Sequence, residues 1–261
     1  MPYTTILDVL PLWGLFLVIV LMVLASIEGG FRLGRFRRHQ SAQEKDAPVG
    51  AMVGSTLGLL AFMLAFTFGM AADGFHARKV ALLEETNAIR TAYLRAALIS
   101  EPQRTEVRKV LRDYVEERLQ WVGLEKRRGG QSSRELLDRM WAQAAAEGQK
   151  NPGLEVVSLF VESVNEVVDL HYERVMVRER SRIPGAFWVV LSLIAILSLA
   201  AMGYHGGVAG TARSPVMLAV ALAFSLVIVL IVDLDSPGQG FVNVSQQAMI
   251  DLRDALAESK P

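Results

Sequence analysis

VGAMVGSTLGLLAFMLAFTFGMAADGFHARKVALLEETNAIRTAYLRAALIS, residues 49–100, decides the fold. Its first half, Val49 to Ala72, is uncharged and apolar. At about 1.5 Å per residue that is long enough to cross a hydrocarbon core of about 30 Å. The second half is polar, and no proline interrupts it before Pro102. The whole stretch, Ala47 to Ser100, predicts one helix that leaves the membrane and carries on into water. Along its membrane part Gly50, Gly54 and Gly58 recur every four residues, a spacing at which small residues let a neighbouring backbone come close. Phe62, Phe66 and Met70 continue the step. Repeated around a symmetry axis, such bulky side chains would make a constriction. Ordinary helix packing in lipid accounts for both patterns as well, and a four-residue step drifts by about 40° per repeat, so the two halves need not share a face.

The rest of the chain fits a membrane protein. Of 261 residues 52% are hydrophobic, the mean hydropathy is +0.32, and the excess is gathered in four runs. The 27 basic and 27 acidic residues cancel, but most of them lie between the second and third runs. No basic footprint points to nucleic acid. The absence of cysteine excludes disulfides, thiol catalysis and cysteine-ligated metal. Nothing basic precedes the first apolar run, so it reads as a retained span and not a cleaved signal.

The fold class expected is an all-α membrane protein, with four transmembrane helices and a helical soluble domain between the second and third. Residues 6–72 hold the first helix pair, 73–183 the soluble domain, 184–232 the second pair, and 233–261 a tail with an amphipathic helix. The first span runs from Ile6 to Ile27, with Trp13 as an interface anchor and Glu28-Gly29-Gly30 as its end. Arg32, Arg35, Arg37 and Arg38 follow in a basic linker suited to lipid headgroups and to setting topology. In the soluble part Pro102 opens a helix striped by Val107, Leu111, Tyr114 or Val115, and Val122. Ser132 or Ser133 offers an N-cap for a short helix through Trp141, and Asn151-Pro152-Gly153 makes a turn. From Leu154 a long helix carries Val157, Val161, Val164, Val168, His171 or Tyr172, and Val175 in a 3-4 repeat. The third span runs from Pro184 to Gly203, then comes a glycine-rich reversal from Tyr204 to Ser214. The fourth spans Pro215 to Val232, and Ser245 can cap a tail helix through Met249, Leu252 and Leu256.

Catalytic chemistry finds no constellation. The four histidines, His39, His76, His171 and His205, fall in different segments without metal-ligand spacing. Glu84 and Glu85 read as a solvated helix face or as partners of Arg one turn away. Asp233, Asp235 and Gly238 echo the opening of a calcium loop, but the residues that follow supply no further ligands, and capping at the membrane edge is the better reading. No cofactor or metal is expected. A rotary stator or proton-coupled transporter holds protons on groups within the bilayer. Val49–Ala72, Pro184–Gly203 and Pro215–Val232 contain no carboxylate. A passive pathway needs none, and a ring of Phe can narrow a pore, gate it by dewetting and offer positive ring edges to an anion.

AFTFGMAADGFHARKVALLEETNAIRTAYLRA resembles the second helix of bestrophins where it passes from membrane to cytosol. Ala77-Arg78-Lys79, Asn87 and Arg90 match the run found there, and Ala65-Phe66 stands for its Gly-Phe pair. Arg180-Ser-Arg-Ile-Pro184 looks like the family's Arg-Thr-Pro-x-Pro, and DLDSPGQGFVNVSQQAMIDLRDAL, from Asp233, is similar to the bestrophin tail. The bacterial bestrophin-like membrane protein family is closer still, with the same length, four spans and an Ala-Ile-x-Thr-x-Tyr-Leu-Arg signature, here Ala88 to Arg95. Gly74 and Arg182 depart from the pattern, and the acidic cluster that clasps calcium in animal bestrophins has no full counterpart. The resemblance implies a homopentameric channel for monovalent, chloride-like anions. Gly58, Phe62, Phe66 and Met70 would line its pore, and Gly50 and Gly54 would pack helices. Arg78, Asn87, Arg90, Pro184, Asp233 and Asp235 carry the family motifs. Its partners would be the lipid bilayer, further copies of itself and small inorganic anions, in a bacterial inner membrane with the middle domain cytosolic. Local basic residues flank both sides and do not decide the orientation. A non-conducting sensor or scaffold with a ligand- or partner-binding helical domain is the alternative.

Overall fold

The computed structural model describes residues 11–40, 46–120, 129–210, 215–237 and 240–258. Among them all regular structure is helical: α1 (Leu12–Gln40), α2 (Asp46–Arg95) with a closing 3-10 turn (Ala96–Leu98), α3 (Gln103–Gln120), α4 (Gly129–Lys150), α5 (Glu155–Arg180), α6 (Gly185–Ala209), α7 (Pro215–Asp235) and α8 (Gln247–Glu258). Four helical stretches are long and apolar enough to cross a bilayer, on α1, on α2, on α5 running into α6, and on α7. The protein is an all-α membrane protein of four spans, with a helical domain between the second and third. The described residues divide into two compact units, one within Met1–Gly74 and Arg182–Asn243, the other within Phe75–Ser181 and Val244–Pro261.

In the first unit α1 packs along α6 and also against α7. From sequence, α1 stops at Glu28-Gly29-Gly30 and a basic linker follows. Instead α1 continues to Gln40, and Arg32, Arg35, Arg37 and Arg38 all lie on it. The reason is the neighbour. A Cβ on Gly30 would fall inside the Ala200 carbonyl and one on Gly34 inside that of Tyr204; reciprocally, Gly203 meets Ile27 and Gly207 meets Phe31. Backbone lies on backbone, and that contact outweighs the cost of glycine in a helix, about 1 kcal/mol each. The same packing carries α6 past the expected end at Gly203 to Ala209, so the reversal starts only at Gly210, which adopts φ +69°; residues 211–214 lie outside the described ones. α7 likewise runs past Val232 to Asp235. Hydroxyls in these spans bond to carbonyls a turn back, Thr67 to Met63 (2.6 Å) and Ser225 to Ala221 (2.7 Å). Ser198 of α6 instead donates to the Thr56 carbonyl of α2 (3.0 Å).

The second unit is a helical bundle. Leu82, Ile89 and Tyr93 of α2 share one core with Val107, Leu111 and Tyr114 of α3, Met140 of α4, Phe160, Val164 and Val167 of α5, and Met249, Leu252 and Leu256 of α8. The α3 stripe and the tail helix sit as their spacing predicts; Val122 lies outside the described residues. Ser132 and Ser133 do not cap α4, which begins at Gly129 and encloses both. On α5 the spacing of Val157, Val164 and His171 holds, but Val161 and Val168 are only half-buried, and Phe160 and Val167 reach the core in their place. Tyr172 is exposed, so His171 is the inward residue of that pair. Ser245 Oγ accepts the Gln247 backbone N–H at 3.3 Å.

Replacing Gly203 by Ala should therefore cost about 1–3 kcal/mol, as overpacking does, and lower the melting temperature in detergent. Gly29→Ala is the control, since a Cβ there meets nothing within 4 Å. Equal losses at both positions would contradict the backbone-contact account.

Candidate functional site

α2 has two unlike faces in its membrane half. Val53, Leu60, Leu64, Thr67 and Ala71 are buried. Phe62 is 65% and Phe66 50% exposed, Gly54 and Gly58 are exposed beside them, and Gly69 and Met70 are half-buried. The Phe66 ring stacks on Phe187 of α6 with centroids 6.4 Å apart. Gly50 faces His205, whose Nε2 lies 3.2 Å from where a Cβ would be, while nothing lies within 4 Å of such a position on Gly54 or Gly58. Past its first member, then, the glycine stripe leaves open space at its Cβ positions among the described residues. The close approaches are made by Gly30, Gly34, Gly203 and Gly207, which reasoning on single helices had no means to pair.

The arginines of α1 do different things. Arg32 pairs with Glu28 one turn back at 2.7 Å. Arg38 lays its guanidinium against Gly210, at the C-terminal end of α6, where a cation suits the helix dipole. Arg35 and Arg37 are exposed. Among the motif residues, Arg78 is buried and donates to Ser181 Oγ at 3.0 Å, Asn87 and Arg90 are exposed, and Pro184 is the N-cap residue of α6. Asp233 and Asp235 are not caps at a helix edge. Both lie buried inside the last turn of α7. The Asp235 carboxylate accepts the Ile183 backbone N–H (2.8 Å), and Asp233 accepts that of Val242 (3.1 Å). They tie the entry of α6 and the chain beyond α7 to one turn. Gly240 packs against the Asp233 carboxylate so tightly that no side chain would fit. No cluster of three or more metal-ligating groups occurs among the described residues; Gly238 lies outside them.

The second unit holds a buried ionic centre that the sequence hid. Glu84 is exposed as expected, but Glu85 is fully buried. Its carboxylate takes Arg118 on both oxygens (3.1 Å each), Arg174 on Oε2, and the Tyr114 hydroxyl at 2.6 Å. Tyr114 Oη lies 2.8 Å from His171 Nδ1. Because the one phenolic proton goes to Glu85, His171 must donate from Nδ1, which assigns the neutral Nδ1–H tautomer from the network. Arg174 also donates to Gln246 Oε1 (3.2 Å) at the entry to α8. One carboxylate thus joins α2, α3 and α5, and through Arg174 the approach to α8. The signal was register: Glu85 sits between Leu82 and Ile89, and Arg118 one turn past Tyr114, all at buried positions of their helices.

Glu85 lies well beyond the apolar stretch of α2. Burial pushes its pKa up, but the charges of Arg118 and Arg174 and the bonds from Tyr114 and Arg174 more than offset this, and it rests below 4.5. Burial, then the Arg118 charge, lowers His171 to about 4; burial, then Glu85, raises Tyr114 well above 10. The Glu85 carboxylate is closed to solvent, and the centre sets the positions of the helices that meet on it. Glu85→Gln leaves two arginines without their counter-charge and should cost on the order of 3–5 kcal/mol. Between about 6.5 and about 4 the unfolded chain binds a proton at His171 that the folded chain refuses, so stability rises with pH across that window and is lost on acidification. Protonation of Glu85 adds to the loss below 4.5. Melting temperatures from pH 7 to 4 should fall accordingly, and His171→Asn should flatten the upper part of the slope.

No curated protein sequence matches the chain. Solved structures do share its fold. A bacterial bestrophin homologue from Klebsiella pneumoniae superposes with a TM-score of 0.65 at 14% identity, covering 95% of this chain and 98% of that one. A second variant of it gives 0.62 at 13%, over 95% and 99%. A crystal structure described only as a membrane protein gives 0.64 at 14%, over 94% and 98%. The Bestrophin-like domain family matches residues 19–249, which is most of the chain and includes both α2 and the Asp233–Asp235 turn. The protein is a multi-pass membrane protein of the bestrophin-like family.

Proposed function

We propose that the protein is a homopentameric channel of the bacterial inner membrane that passes small monovalent anions, with five copies of α2 around a central pore. The observation that carries this is the open face of α2. Between Val49 and Ala72 it has no charged residue, and Phe62 and Phe66 stand exposed on it while the opposite face is packed. A span that leaves Phe62 open and Phe66 half-exposed on one side suits a neck that gates by dewetting, with Phe ring edges as weak anion partners. Gly58 and Met70 would be the outer members, and Gly54 would lie at the contact with the next copy. Phe66 is steadied by Phe187, so Phe62 is the freer ring and the better candidate for the narrowest point. Heterologous contacts of this kind close into rings. Family membership and the shared fold with a bacterial bestrophin homologue support the assignment.

Native mass spectrometry in mild detergent should find an assembly of about 144 kDa, five chains of 28.7 kDa. In chloride-loaded vesicles Phe62→Ala should raise efflux, because dewetting barriers fall steeply with radius. A monomer, or efflux unchanged in an assembled variant, would remove the neck from Phe62. Orientation has its own test, since the chain has no cysteine. With a cytosolic middle domain, an impermeant thiol reagent applied to intact cells should label Arg37→Cys and spare Gln149→Cys; the reverse pattern inverts the topology.

A further inference from the structure

The second unit has a cleft of about 480 Å³ between α4 and α5, within the size range of small-molecule sites. It is lined by Trp141, Gly148 and Asn151 from α4 and the turn after it, and by Val161, Glu162 and Asn165 from α5. No lining residue is basic. Its polar side chains carry acceptors and one carboxylate but no cation, and the Ser158 hydroxyl donates to the Leu154 carbonyl (3.4 Å). Asn151 spends one amide N–H on Glu147 (2.8 Å) and Asn165 one on Asp169 (3.4 Å), which leaves each a carbonyl oxygen and a second N–H for a ligand. Glu162 is exposed and makes no ion pair among the described residues. α4 ends at Lys150, so its last carbonyls and the negative end of its dipole fall at the same rim. The cation of that last turn, Lys150, donates instead to Ser100 Oγ (3.3 Å). Trp141 lines the cleft and is 43% exposed, and an indole ring attracts cations.

We propose that this cleft binds a small organic ammonium ion with a hydrogen-bonding end. Trp141 takes the cationic head by its ring face, Glu162 supplies the counter-charge, and the amide oxygen of Asn151 or of Asn165 accepts from the polar end. Anions and neutral apolar compounds are disfavoured, since the cleft offers no cation and leaves its acceptors unpaired. The site uses none of the residues assigned to the pore.

The probe is choline, measured by equilibrium dialysis of the detergent-solubilised full chain against protein-free micelles. Its neutral isostere, 3,3-dimethylbutan-1-ol, is the control for charge. Choline should be retained saturably, with the neutral analogue about tenfold weaker, the scale of a cation–π contact with a nearby carboxylate. Glu162→Gln and Trp141→Ala should each weaken choline several-fold. Gly148→Leu should abolish binding by filling the cleft, and it should still fold, because a Cβ there meets only Val161 Cγ2, at 3.8 Å. Choline held no better than its neutral isostere, or unaffected by all three substitutions at an unchanged melting temperature, overturns the proposal. Neither result bears on whether the protein conducts.

Discussion

Hydrocarbon offers a peptide group nothing to bond with, and this fixes the first unit. Every backbone N–H and C=O within the bilayer must be satisfied inside its own segment, so the spans are helices and stay helices through residues that break them in water. Without a hydrophobic drive between helices, association rests on contact distance. α1 and α6 meet backbone to backbone at Gly30, Gly34, Gly203 and Gly207. The glycines that punctuate a soluble sequence are here what holds two helices together, and both helices are longer for it.

The second unit obeys the opposite solvent. Its apolar stripes collapse into one core, and within that core stands the Glu85 centre. A single buried carboxylate with two arginines is a poor source of net stability, because desolvation consumes much of what the charges return. Its worth is geometric. Tyr114, Arg118 and Arg174 can all reach Glu85 only if α2, α3 and α5 stand in one register, and Arg174 extends that demand to Gln246 before α8. Slipping any one helix by a residue strands a charge in the core. The apolar stripes alone would tolerate several near-equivalent packings.

α2 belongs to both regimes. It is one helix from Asp46 to Arg95, with its lipid-phase half packed on one side only and its aqueous half packed through Leu82, Glu85, Ile89 and Tyr93. The charge-poor face with Phe62 and Phe66 therefore continues, without a break in the helix, from an element whose far end is pinned by an ionic centre. The Asp233–Asp235 turn plays a comparable part for α6 and α7, holding Ile183 and Val242 by their backbone N–H groups.

The number of spans, the long α2, the bundle between the second and third spans, the tail helix and the family motifs were all legible in the sequence. Each depends on local periodicity, on the length a bilayer demands, or on residue order. What the sequence could not supply was anything set by a partner helix. Gly29-Gly30 and Gly203 read as stops because glycine disfavours an isolated helix; the α1–α6 contact made them interior. Ser132 or Ser133 read as a cap because serine favours helix starts, whereas α4 begins before both. Glu85 read as a solvated helix face or a partner of Arg one turn away, and Asp233 as a cap at the membrane edge; only the tertiary fold brought Arg118, Arg174 and Tyr114 to the one, and the Val242 N–H to the other. Sequence determines what a segment prefers alone; which charges are buried is decided by partners that arrive from distant parts of the chain.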